Sequence, residues 1–260
     1  MEGVIGNPET WALTSVRVSL WILVLTRVTG LLAAFPMWGS EKLPLRTRSG
    51  LAVLLAIVLL PGVKAPNRMP TGVWDLLPMM GLELAVGILL GTVVTLVLEA
   101  IAFGSQLMDT QMGFSFVQIT DPSSNAATSV SGALLGQVAT LLVFAMGLHH
   151  HFIQALADSY RVVPIGGTFT LRLPEFVMLT GDILARGFQL AMPVLVVLLM
   201  LDVLMGISGK LMPQLQLLQL AFPFKIALGA IILGFVLREF PAWLEPLLQR
   251  TPRIALELLR

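Results

Sequence analysis

The stretch from Leu76 to Phe103 is LLPMMGLELAVGILLGTVVTLVLEAIAF, and Glu83 and Glu99 are its only ionisable residues. An α-helix needs about 20 predominantly apolar residues to cross the hydrocarbon core of a bilayer. The run shows no period-two alternation, which favours a helix over a barrel strand; only these two structures satisfy their own backbone groups in lipid. Trp11–Phe35, Ala133–Ala157, Ile183–Ile207 and Leu215–Leu237 also reach spanning length. Leu51–Leu60 has only about ten residues, a length suited to a buried or re-entrant helix. The expected fold is all-α, a polytopic helical membrane protein of about six helical segments.

Composition leads to the same class. Of the 260 residues 56% are hydrophobic and 12% charged, with a mean hydropathy of +0.88. Soluble domains carry about 25% charged residues, and a water-soluble fold of this length could not hide so much apolar surface. The formal net charge of +1 gives no reason to expect a nucleic-acid partner. With no cysteine there is no disulfide, thiol nucleophile or cysteine metal site. Glu2 and Glu9 precede the first cation, Arg17, unlike the basic start of a cleavable signal peptide. Trp11–Phe35 is therefore expected to be a retained anchor.

Prolines 36, 61, 66, 70, 122, 164, 174, 213 and 241 lie at or near the stretch boundaries, whereas Pro193 and Pro223 fall inside and should kink their helices. The spacings Gly87-x-x-x-Gly91, Ala100-x-x-x-Gly104 and Gly132-x-x-x-Gly136 suit close helix approach but are common by chance. Between Arg68 and Arg161 there is no Lys or Arg, while Asp75, Glu83, Glu99, Asp109, Asp121 and Asp158 all fall there. Basic residues gather at Lys42, Arg46 and Arg48 and again at Arg238, Arg250, Arg253 and Arg260. Six crossings would place those clusters on opposite faces, against the positive-inside tendency. Five would place them on one face.

Arg17, Arg27, Glu83, Glu99, Asp182, Arg186 and Asp202 lie within or beside apolar stretches. A charge at mid-bilayer costs about 2.5–3.5 kcal/mol on insertion scales, so such residues face protein or water. An ion pathway is one reading, and interhelical pairing is the simpler one. Asp182 and Arg186 already have the i, i+4 spacing of a pair. His149-His150-His151 cannot converge on one metal ion, because adjacent helical residues point apart. Gly206-Ile-Ser-Gly-Lys210 lacks the first glycine of a phosphate loop, and Leu211 stands where Ser or Thr would hold magnesium. It suits the turn between two antiparallel helices. Ser208 lacks a nucleophile-elbow frame, so no enzyme activity and no cofactor are expected.

Gln106 to Pro122 mixes Met108, Met112, Phe114 and Phe116 with polar residues, and Gly113 and Pro122 argue against a continuous helix. Irregular backbone at membrane depth is tolerated where it lines a cavity or is buried in protein, and an apolar constriction closes a pore by excluding water. An interhelical loop resting its aromatics on headgroups fits equally well.

The ordered set Arg27-Val-Thr-Gly30, Ala34-Phe-Pro36, Glu83 with Gly87 and Gly91, Gln111-Met-Gly-Phe-Ser-Phe116, Asp121-Pro122, Gly147 with His149, Pro164-Ile-Gly166, Gly187, Pro193, Met212-Pro-Gln214 and Ala221-Phe-Pro-Phe-Lys225 resembles the FliR family of flagellar type III export subunits. After Gln214 the chain has Leu-Gln-Leu-Leu-Gln, where many family members carry an Asn-Val-Phe-like sequence.

The resemblance implies one membrane domain over residues 1–260. FliP-like helices and the central loop would take about 1–175, a FliQ-like hairpin about 176–240, and a tail 241–260. It further implies an inner-membrane export gate of the flagellar basal body, built with FliP-like and FliQ-like subunits and a larger subunit of the FlhB type. Unfolded export substrates would pass a central pore, energised elsewhere. By that likeness Met108, Met112, Gly113, Phe114 and Phe116 would plug the closed pore. Arg27, Glu83, Glu99, Asp202 and Lys225 would make intramembrane polar contacts, with lipid around the outside. The virulence-type export subunit of the same architecture is the near alternative. A small secondary transporter is a more distant one, for which the internal repeats are missing.

Overall fold

The computed structural model of the chain describes residues 8–34, 44–66, 70, 72–114, 129–211 and 217–259. Among them the regular structure is helical: α1 (Pro8–Ala34), α2 (Leu45–Leu59, continued by a 3-10 turn Leu60–Gly62), α3 (Val73–Met112), α4 (Val130–Ala145), α5 (Leu148–Val162), α6 (Leu173–Leu211) and α7 (Leu217–Glu257). Five helical windows are long and apolar enough to cross a membrane: Arg17–Ala34, Leu45–Gly62, Val73–Met112, Leu173–Gly209 and Phe222–Glu257. The α4–α5 pair makes a sixth if counted as one broken span. The chain is an all-α polytopic membrane protein. Its α3, with 40 residues, rises about 60 Å at 1.5 Å per residue, roughly twice a hydrocarbon core.

Hydroxyls on these apolar helices donate to the carbonyl four residues back, which removes the cost of an unpaired polar group in lipid. Thr26 donates to Ile22 (2.8 Å), Thr92 to Ile88 (2.8 Å) and Ser105 to Ile101 (2.7 Å).

The chain divides into two compact units. The first comprises residues 1–95, 148–176 and 249–260. Its core is built from Leu23, Val24, Val28 and Leu31 of α1, Leu55 and Ala56 of α2, Val86, Leu90 and Val93 of α3, and Phe152 and Leu156 of α5. Here α1 and α3 touch backbone to backbone: a Cβ on Gly87 would collide with the Arg27 carbonyl, and one on Gly30 would lie 2.7 Å from the Leu84 carbonyl. The Thr95 hydroxyl reinforces the crossing by reaching the Ala34 carbonyl at 2.5 Å.

The second unit comprises residues 96–147 and 177–248. A Cβ on Gly187 of α6 would strike the Ala100 carbonyl of α3, and one on Gly104 would strike the Gly187 carbonyl. Ile101, Leu135, Leu198, Phe240, Leu244 and Leu248 are its largest fully buried apolar side chains together with two methionines described below. Only 22% of the apolar 18-residue window within Leu173–Gly209 is buried within the chain, which leaves most of that apolar helix to lipid or to other proteins.

Element boundaries depart from the sequence expectation in several places, among them α3, which runs past Phe103 to Met112 and makes residues 106–112 of the expected irregular segment helical. The apolar run Ala133–Ala157 is two helices, because Gly147 takes a left-handed conformation (φ 66°) that ends α4. Of these, α5 is strongly two-faced: Phe152, Leu156, Ser159 and Tyr160 are buried, while His151, Gln154 and Arg161 are exposed. The short run Leu51–Leu60 gains a basic first turn and a last 3-10 turn, reaching 18 residues and spanning length. The segment Gly206–Lys210 is not a turn but part of α6, which continues to Leu211. Finally α7 passes through Pro241 to Glu257, so residues 241–257 continue the helix. Ala255, Leu258 and Leu259 are buried.

Candidate functional site

Two polar nodes stand out, one within each unit. In the first unit the Arg27 guanidinium of α1 is completely buried. Its Nε donates to Glu83 Oε2 of α3 at 2.6 Å, Nη1 to Ser159 Oγ at 3.1 Å and Nη2 to the Val163 carbonyl at 2.9 Å. Ser159 in turn donates to Leu156 O (2.7 Å), and the backbone N–H of Gly166 reaches Glu83 Oε1 at 3.4 Å. The Tyr160 ring lies under the guanidinium, 4.2 Å from Cζ to centroid, and its hydroxyl reaches the Val24 carbonyl at 3.4 Å. Gly166 holds φ 71°, which lets the chain turn its N–H toward the carboxylate. The geometry is that of a clamp: charge, counter-charge and hydrogen bonds close on themselves, joining α1, α3 and α5.

In the second unit the node surrounds the end of α3. Met108 and Met112 are both fully buried; Met112 fills the notch left by Gly229 of α7, where a Cβ would come within 2.6 Å of it. Gly113 then takes φ 89° and ends the helix, with the Phe114 N–H returning to the Asp109 carbonyl at 3.0 Å. Phe222 of α7 packs against Gly113. Beside it Asp202 of α6 pairs with Lys225 of α7 (2.5 Å) and accepts from the Gln111 amide (3.0 Å). Asp109, also buried, accepts the Ser131 backbone N–H at 3.2 Å and the Ser131 hydroxyl, at the start of α4. Ser129 caps that helix by accepting the Gly132 N–H at 2.8 Å.

The site residues expected from sequence thus fall in different settings. Arg27 and Glu83 meet each other, and Asp202 meets Lys225. Glu99 is exposed and has no hydrogen-bond or ion-pair partner among the described residues. Met108 and Met112 are turned into their own chain, while Gly113 and Phe114 are half-buried at the turn. Phe116, Asp121, Pro122 and Met212–Gln214 lie outside the described residues. Asp182 and Arg186 are exposed and form no ion pair among the described residues. Sequence reasoning missed Ser159 and Tyr160, which carry no signal apart from α5's two-faced pattern, and it gave Asp109 and Gln111 no partner. Among the described residues no group of His, Asp and Glu is placed to hold a metal ion.

Fold and nodes define a helical membrane protein whose polar groups are arranged to fasten helices. Residues 18–251 match the family model "Bacterial export proteins, family 1", and the chain belongs to that family. It is 29% identical over 231 residues to the flagellar biosynthetic protein FliR of Caulobacter vibrioides, covering 86% of this chain and 90% of that one. Its likeness to FliR of Escherichia coli is 27% over 220 residues, 84% of each chain. The Yop proteins translocation protein T of Yersinia pestis is 24% identical over 218 residues, 82% of this chain and 84% of the other.

Proposed function

We propose that this chain is a structural subunit of a flagellar type III protein export gate in the bacterial inner membrane, helping to form the pore through which unfolded substrates pass. The observation that carries the reading is the family match along almost the whole chain, with flagellar proteins among its relatives. The mostly uncovered apolar helices α6 and α7 support it, since they present surface that neighbouring subunits would cover. Partners are FliP-like and FliQ-like subunits and a larger one of the FlhB type. Within the chain, about 1–175 plays the FliP-like part and about 176–240 the FliQ-like hairpin. Asp202 and Lys225 sit at similar distances from the facing ends of α6 and α7, as an antiparallel hairpin requires.

The role is that of a gated conduit without catalysis or cofactor of its own. Gly113, Phe114 and Phe116 would form the plug, and buried Met108 and Met112 would anchor its root. The deciding experiment is to tag the chain in its native membrane, extract it in mild detergent and identify what accompanies it. FliP-like and FliQ-like proteins in one stable particle uphold the proposal; recovery of the chain alone or only with itself overturns it. Likeness to the Yersinia protein favours a second reading, the virulence-type apparatus, and the type of the co-purified subunits separates the two.

A further inference from the structure

Three acids of the cation-free segment between Arg68 and Arg161 have partners within the chain: Glu83 has Arg27, Asp109 has Ser131, and Asp158 has Arg161. Glu99 does not. It is exposed on α3 inside the apolar run, and no described residue bonds to it. The same helix packs tightly through other faces, with Ala100 and Gly104 on Gly187, and with Ser105 and Met108 buried. Glu99, Ala102, Phe103 and Gln106, three or four residues apart, form an open stripe.

We propose that this stripe docks on a membrane-spanning helix of a neighbouring, different subunit that presents a Lys or Arg side chain to Glu99. An ionised carboxylate facing hydrocarbon is strongly disfavoured, so lipid is a poor cover. A water-filled lumen would suit a polar face, but one turn from Glu99 stand Ala102 and Phe103, the latter 41% exposed. That combination suits a protein contact: Ala102 admits a close backbone, Phe103 offers a knob, Gln106 a hydrogen bond, and the charge fixes register. The inference rests on the multi-subunit reading above.

The test uses the whole complex in native membranes, with the photo-crosslinking residue p-benzoylphenylalanine placed at Ala102. The expected result is a crosslink to one different subunit, mapping within a helical turn of a Lys or Arg. Glu99→Lys should lower recovery of the intact complex about tenfold, Glu99→Gln should lower it less, and changing the partner's cation to Glu should restore recovery with Glu99→Lys. Crosslinks to lipid alone or to a second copy of the chain overturn the proposal. So does rapid labelling of Glu99→Cys by a membrane-impermeant maleimide in the intact complex, which would mark a water-lined wall. Should Glu99→Lys fail to accumulate, the Ala102 crosslink decides. If the unaltered chain purifies without partners, the export-gate reading falls as well; if the complex is intact but uncrosslinked here, only this contact falls.

Discussion

Arg27 and Glu83 are each costly in an apolar helix and inexpensive together, because each of the three guanidinium nitrogens has an acceptor. Removing one partner leaves the other buried and uncompensated. Arg27→Met alone should therefore destabilise the chain by about 3–5 kcal/mol, and Glu83→Leu by a similar amount. The double replacement should cost less than either single one. Thermal unfolding in detergent across the four proteins measures this coupling; additive losses would show that the two side chains do not support each other. Tyr160→Phe keeps the ring beneath the guanidinium and loses only a long hydrogen bond, so its loss should stay below about 1 kcal/mol.

Helix crossings are decided by glycine. Gly187 meets the Ala100 backbone so closely that any Cβ forces α3 and α6 apart, whereas Gly136 has no neighbour there within 4 Å. Gly187→Ala should cost about 1–3 kcal/mol, while Gly136→Ala should be neutral or stabilising by up to about 1 kcal/mol. Melting temperatures of the two variants compare them directly, and equal values would refute the close crossing. At the end of α3, Met112→Ala empties the notch at Gly229 and should cost about 2–5 kcal/mol. The helices themselves were legible from uninterrupted apolar runs, but their ends were not. Gly147 breaks one run, whereas α6 continues unbroken through Gly206 and Gly209. A glycine takes the left-handed conformation and ends a helix only where surrounding packing favours the turn.

The two compact units interleave along the chain, and the last twelve residues, 249–260, belong to the first. Truncation after Leu248 should therefore loosen the distant N-terminal helices, since buried Thr251, Ala255, Leu258 and Leu259 would be lost from that unit. Limited proteolysis should then cut preferentially in residues 1–95 while 177–248 stays protected; uniform protection would contradict the division. If the chain lines a gated pore as proposed, replacing Met112, Phe114 and Phe116 together by Ala should raise resting ion leak in a reconstituted complex. Unchanged conductance would remove the plug from the mechanism.

Class, helical character and family resemblance were readable from the amino acids alone, because an apolar run of this length has few stable solutions in water or lipid and periodicity reports the local backbone. Two groups 56 residues apart, such as Arg27 and Glu83, leave no such trace. Nor could composition tell that Met108 and Met112 turn inward, or that Glu99 is left without a partner among the described residues while Glu83 is not. Which face of a uniformly apolar helix meets its own chain is set by small residues permitting contact and by distant charges finding one another, and both are properties of the packed chain.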